Sequence, residues 1–112
     1  MEYKAITLMN EIIEAAEKDD AALFYFSTTT CNVCKVLKPK VKELIESEFP
    51  KINLYYVDIE KAPVVSGQFR IFSIPTLLVY FGGKEYLRKS RTIGLGELAS
   101  EIGRPYGLMF ED

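Results

Sequence analysis

The only two cysteines of the chain, Cys31 and Cys34, lie three apart in the stretch TTTCNVC over residues 28–34. Such a pair suits three chemistries: dithiol–disulfide exchange, half of a metal site, or two small buried side chains. The absence of histidine removes Cys-His nucleophilic catalysis, Cys₂His₂ zinc and C-x-x-C-H haem attachment together. A cysteine-ligated zinc site would need two more soft ligands, which only a second chain at a dimer interface could bring. What surrounds the pair decides between these readings.

The 112 residues are 48% hydrophobic, enough for one core, so residues 1–112 are read as a single domain. Fourteen Lys and Arg against sixteen Asp and Glu give a net charge of −2. No basic field is present to attract nucleic acid or an anionic membrane. The opening MEYKAITLMNEIIEAAEKDD has acids where a signal peptide would carry an apolar block, and no apolar run reaches transmembrane length. A soluble, cytoplasmic protein is expected. In a reducing compartment a close cysteine pair points to catalysis or metal more than to stapling.

The elements that must position the pair follow from periodicity. Ile6, Met9, Ile12, Ile13 and Ala16 recur at helical spacing, predicting a helix over 4–18. AALFYFS (21–27) is apolar without alternation, as in a strand covered on both faces. Leu37, Val41, Leu44, Ile45 and Phe49 mark a helix over 34–49, with a kink at Pro39. INLYYVDI (52–59) reads as a second buried strand, and Pro63 opens a short helix over 63–69 with Val65 and Phe69 inward. TLLVYF (76–81), Gly82-Gly83 and KEYLRKS (84–90) form a hairpin. A last helix runs from Leu95 to Gly103 with Pro105 beyond its end, and Leu108, Met109 and Phe110 in the tail RPYGLMFED pack back on the domain. The order α, β, α, β, α, β, β, α gives an α/β fold: a mixed sheet of four or five strands with helices on both faces.

In this frame Cys31 stands where a strand hands over to a helix. Free N–H groups and the helix dipole stabilise a thiolate there, lowering a cysteine pKa from about 8.5 into a range of about 3.5 to 7.5. Cys31 is therefore the candidate nucleophile. Cys34, one turn further along the same face, is the candidate resolving thiol.

The chain resembles the thioredoxin family over nearly its whole length. The residues that carry the likeness are LFYFS, CNVCKVLKP, YYVDIEKAP, FRIFSIPTLLVYFGGKE and TIG. The resemblance implies a thioredoxin-like fold and thiol–disulfide oxidoreductase activity on protein disulfides, in the reducing direction. It implies a cis peptide at Ile74-Pro75 opposite the CxxC, with Thr76 opening the next strand and the Ile74 backbone pairing with an extended substrate segment. Gly94, next to Ile93, matches the glycine loop at the rim of that groove. Thr30, Asn32 and Val33 would also meet substrate. Electrons would come through the cysteines themselves, from a thioredoxin-reductase-like flavoprotein or another dithiol donor. No other cofactor and no metal is expected, the partners are protein disulfides, and a monomer is expected.

Departures from the family pattern are concentrated near the cysteines. Thr30 replaces the usual tryptophan, and Asn32-Val33 replaces Gly-Pro, so the reduction potential does not carry over; a moderately to strongly reducing pair is expected. Tyr25, six residues before Cys31, stands where the family keeps a buried aspartate, and Tyr56 where many relatives have lysine. Both are redox-tuning candidates, though a phenol with a pKa near about 10 is a poor base at neutral pH. Cys34 should then resolve mixed disulfides slowly unless water or an acid such as Glu60 assists. As core aromatics, Tyr25 and Tyr56 would each need one hydrogen bond. Thr28, Thr29 or Thr30 is expected to cap the helix through a hydroxyl. Lys35, Lys38, Lys40 and Lys42 crowd that helix and read as solvated. Glutaredoxin-like chemistry is disfavoured, because its valine before the cis proline is missing. Two alternatives stay open: a binding or adaptor module without turnover, and the zinc dimer.

Overall fold

Strand β2 (Ala21–Ser27) is buried at all seven positions, as its unbroken apolar run requires of a central strand. The computed structural model describes residues 2–110. Around β2 the chain lays down β1 (Lys4–Ala5), α1 (Met9–Lys18), α2 (Asn32–Glu48), β3 (Asn53–Asp58), α3 (Pro63–Gln68), β4 (Thr76–Phe81), β5 (Lys84–Ser90) and α4 (Leu95–Phe110). The sheet has five strands in the order β1-β3-β2-β4-β5. β2 pairs in parallel with β3 and antiparallel with β4, and β5 closes the far edge antiparallel to β4. Gly82 and Gly83 take φ of 59° and 84°, the left-handed region that their hairpin turn demands.

Alternate residues of β2 feed two cores. Ala21, Leu23 and Tyr25 join Cys34, Val41 and Ile45 of α2 and Leu98 and Ile102 of α4. Ala22, Phe24 and Phe26 meet Ile12 and Ala16 of α1 and Val65 of α3 on the other face. Both faces of the sheet are thereby covered.

Three expectations are corrected. The first helix starts at Met9, not Lys4: Lys4 and Ala5 pair with Tyr55 and Tyr56 on the edge of β3, and the Ile6 N–H donates to the Tyr56 carbonyl (3.0 Å). Ile6 is buried from outside the helix, whereas Ile13 is 42% exposed. The last helix runs through Pro105 to Phe110. Proline costs an interior helix about 3 kcal/mol, but here Tyr106 is buried, its ring 5.1 Å from Phe49 and 4.8 Å from Phe110. Its hydroxyl also accepts the Lys51 N–H (3.2 Å). The tail therefore packs through Tyr106 and Phe110, while Leu108 and Met109 stay exposed; its last two residues lie outside the described ones.

Candidate active site

Cys31 is the N-cap of α2, with extended backbone (φ −82°, ψ 105°), and its sulfur accepts the Cys34 N–H at 3.2 Å. No threonine performs the capping expected of it. The helix begins at Asn32, two residues after the last threonine, which leaves Cys31 as the cap, so the cysteine sulfur reaches the third helical N–H first; Thr28 Oγ1 and Thr30 Oγ1 instead share a hydrogen bond (3.3 Å). Cys31 and Cys34 are joined by a disulfide, their Cα atoms 5.3 Å apart. Cys31 is partly exposed and Cys34 is 1% exposed. The outer sulfur thus sits among the free amides of a helix start, which favour negative charge.

Two surfaces flank the pair. In front, Asn32, Val33, Val36, Leu37 and Lys40 of α2 face Arg91, Thr92 and Ile93 across a cleft of about 490 Å³. The Ile74–Pro75 peptide is cis, Pro75 is buried, and Ile74 and Ile93 pack with Cys31 against the core cluster that holds Cys34. Thr76 opens β4, its hydroxyl donating to the Ser73 carbonyl (2.7 Å). Of the expected substrate-binding residues, Asn32, Val33 and Ile93 line this cleft; Thr30, Ile74, Pro75 and Gly94 lie outside its lining. Gly94 instead immediately precedes α4, its carbonyl accepting the Leu98 N–H (2.9 Å).

Behind the pair, Ser27, Thr28, Thr29, Cys34, Lys35, Lys38 and Tyr56 line a second cleft of about 390 Å³. The Tyr25 hydroxyl donates to the Cys34 carbonyl (2.8 Å). Burial, and then the neighbouring Tyr56, push the Tyr25 phenol well above its ordinary pKa, so it keeps its proton and does no work as a base. Tyr56 accepts from the Ser27 hydroxyl (3.0 Å), and its ring carries the Lys38 ammonium 3.8 Å from its centroid.

The thioredoxin family model matches residues 5–103. The chain belongs to the thioredoxin family. It is similar to the thioredoxin-like protein YdfQ of Bacillus subtilis, 30% identical over 87 residues that cover 78% of this chain and 77% of that one. It is also similar to a thioredoxin of Chlamydia trachomatis, 36% identical over 80 residues (71% and 74% of the two chains). The fold matches a mutant thioredoxin of Halobacterium salinarum with a TM-score of 0.83, over 94% of this chain and 91% of that one, at 18% identity. Family membership and the Cys31–Cys34 pair make this thioredoxin-family protein a thiol–disulfide oxidoreductase. Among the described residues no helix is long and apolar enough to cross a membrane.

Sequence reasoning missed three residues of this thioredoxin-like site. Arg91 takes a positive φ of 63°, and its N–H donates to the Pro75 carbonyl (2.8 Å), tying the cleft wall to the cis proline. Nothing in the local sequence signals that bond. Tyr3 donates to the Lys38 carbonyl (2.8 Å) and its ring lies 5.9 Å from Tyr25, a contact made by chain entering along β1. Lys38, one of the lysines expected to be solvated, lies over the Tyr56 ring and, at 5.2 Å, against Tyr3.

Proposed function

We propose that this protein reduces disulfides of other proteins, Cys31 being the nucleophile and Cys34 the resolving thiol. The observation that carries the reading is the asymmetry of the pair: a partly exposed sulfur at a helix N-cap, bonded to a buried one a turn deeper. In the reduced protein the Cys31 thiolate attacks one sulfur of a substrate disulfide. That S–S bond breaks, a Cys31–substrate bond forms, and the departing sulfur leaves as a thiolate that takes a proton from water. The Cys34 thiolate then attacks Cys31, releasing the second substrate thiolate and leaving the Cys31–Cys34 disulfide. Two electrons have passed to the substrate, and a thioredoxin-reductase-like flavoprotein or another dithiol returns them.

The substrate segment lies in the cleft of Asn32, Val33 and Ile93, with the Ile74 backbone beside the cis proline pairing with it as an added strand does. Thr30 and Gly94 stand at the rim. The protein acts as a monomeric single domain in the cytoplasm, as a carrier in electron transport. The family's general use of protein disulfides and dithiol donors supports the carrier role.

The test is capture on a Cys34→Ser variant. Mixed with a protein disulfide such as insulin, it should accumulate a covalent adduct on Cys31 that dithiothreitol releases. An adduct at background level, with Cys31 inert to alkylating reagents at neutral pH, would leave a binding module without turnover as the better description.

A further inference from the structure

Two phenols, Tyr25 and Tyr56, stand beside the resolving thiol, at the positions where the resemblance would place an acid and a lysine. A charge nevertheless enters the same space from a different element. Lys38 follows Cys34 by four residues on α2, so the two side chains rise from the same helix face with Cβ atoms about 5–6 Å apart. Both line the rear cleft, together with Ser27 and Tyr56. The ammonium is fixed there by the rings of Tyr56 and Tyr3, and the Tyr3 hydroxyl holds the backbone carbonyl of Lys38.

We propose that Lys38 is a positioning residue for the resolving step, its ammonium stabilising the Cys34 thiolate in place of the family's buried charges. The inference rests on the reading of Cys34 as the resolving thiol. A cation within about 4–6 Å of an ionising thiol favours its charged form by one to three pKa units, and aromatic faces hold such a cation without neutralising it. Burial lowers the pKa of Lys38, a shift opposed by the Glu2 carboxylate, as befits an ammonium partly removed from water and so weakly screened. The other groups around Cys34 do not replace it. Tyr25 keeps its proton and donates to the Cys34 carbonyl, Ser27 donates to Tyr56, Lys35 is exposed, and the buried Asp58 accepts the Glu60 N–H (2.9 Å). The chemistry is the second exchange described above: the Cys34 proton passes to water, a Cys34–Cys31 bond forms, and the substrate thiolate departs.

The experiment has two readouts. In a Cys31→Ser background Cys34 is the sole thiol, and the pH dependence of its Cβ carbon chemical shift gives its pKa. In the two-cysteine protein, stopped-flow reaction with a fluorogenic peptide disulfide separates adduct formation from resolution. Lys38→Met, which keeps the apolar stem, should raise the Cys34 pKa by about one unit and slow resolution about three- to fourfold at neutral pH, the loss of thiolate being partly offset by its higher nucleophilicity. Raising the pH should restore the rate, and Lys38→Arg should stay within about twofold of the parent. Lys38→Gln serves as the second neutral variant if the Met protein does not fold. Unchanged pKa and resolution in a folded neutral variant would overturn the role of Lys38 while leaving the functional reading intact, and so would failure of Lys38→Arg to preserve them. No adduct on Cys31 in the Cys34→Ser protein would overturn both.

Discussion

The two sides of the Cys31–Cys34 bond are built to different rules. In front, Val33 and Val36 are 65% and 60% exposed, side chains that do little for the core and are free to meet a partner. Behind, Cys34 and Tyr25 are buried, and the polar atoms of Tyr25, Ser27 and Tyr56 each have a named hydrogen bond. The front can change with little cost in stability. At the back the same side chains fill the core and set the surroundings of a sulfur, so a substitution there moves folding and chemistry together. The back can therefore be changed only as a packed, satisfied set.

The contrast breaks most visibly at the partly exposed cysteine. Cys31→Ser should lower protein-disulfide turnover at least about a thousandfold, near 4 kcal/mol of barrier, whereas Cys34→Ser should keep the first exchange and lose the second. Turnover of insulin with dithiothreitol as electron source measures the first, and adduct mass the second. A Cys31→Ser protein with a tenth of the parental rate would place the start of exchange elsewhere.

Alkali should strike the back. Burial raises the pKa of Tyr25 and, more strongly, of Tyr3 there, as it does of Tyr55 and Tyr80 on the other face of the sheet. A phenol raised in the folded state contributes stability that is fully present below its unfolded pKa of about 10 and is lost as pH climbs from there toward the folded value, because the unfolded chain releases the proton first. Urea midpoints should therefore be flat between neutrality and about pH 9 and fall steeply above about pH 10, and Tyr25→Phe should make that fall shallower. A fall of the same steepness in Tyr25→Phe would mean that this phenol takes no part.

How far the sequence could reveal these sides depends on range. β2, the Gly82-Gly83 hairpin and the helix after Cys31 are legible because periodicity and turn chemistry act within a few residues. β1 is not, since two residues with exposed side chains carry no period, and their pairing with β3 is a long-range event. Pro105 misleads for the opposite reason: its local signal is strong, and the packing of Tyr106 and Phe110 that outweighs it is distant in sequence. At the site, the placing of Cys31 and Cys34 one turn apart follows from helical spacing and Val33 from the family resemblance, whereas Val36 joins the front only through the fold. The threonine cap fails by one residue of helix boundary, the least certain quantity in any such reading. Lys38 could be placed one turn beyond Cys34 from spacing alone, but the Tyr56 face that holds it belongs to a strand across the helix–sheet interface.

The smallest effect on folding sharpens the contrast from the front. Val33→Ser removes an apolar side chain from a surface position of α2, so urea stability should change by no more than about 0.5 kcal/mol. The same change strips apolar contact from the cleft that Val33 shares with Ile93 and Val36. A protein disulfide that covers the cleft loses that burial, worth about 1 kcal/mol or somewhat more for a valine, and its KM should rise several-fold. Oxidised glutathione, too small to cover both walls, should react at the parental rate. Equal losses on both substrates would show that Val33 acts on the Cys31 sulfur and not on the partner, and the front would then share the double duty that now distinguishes the back.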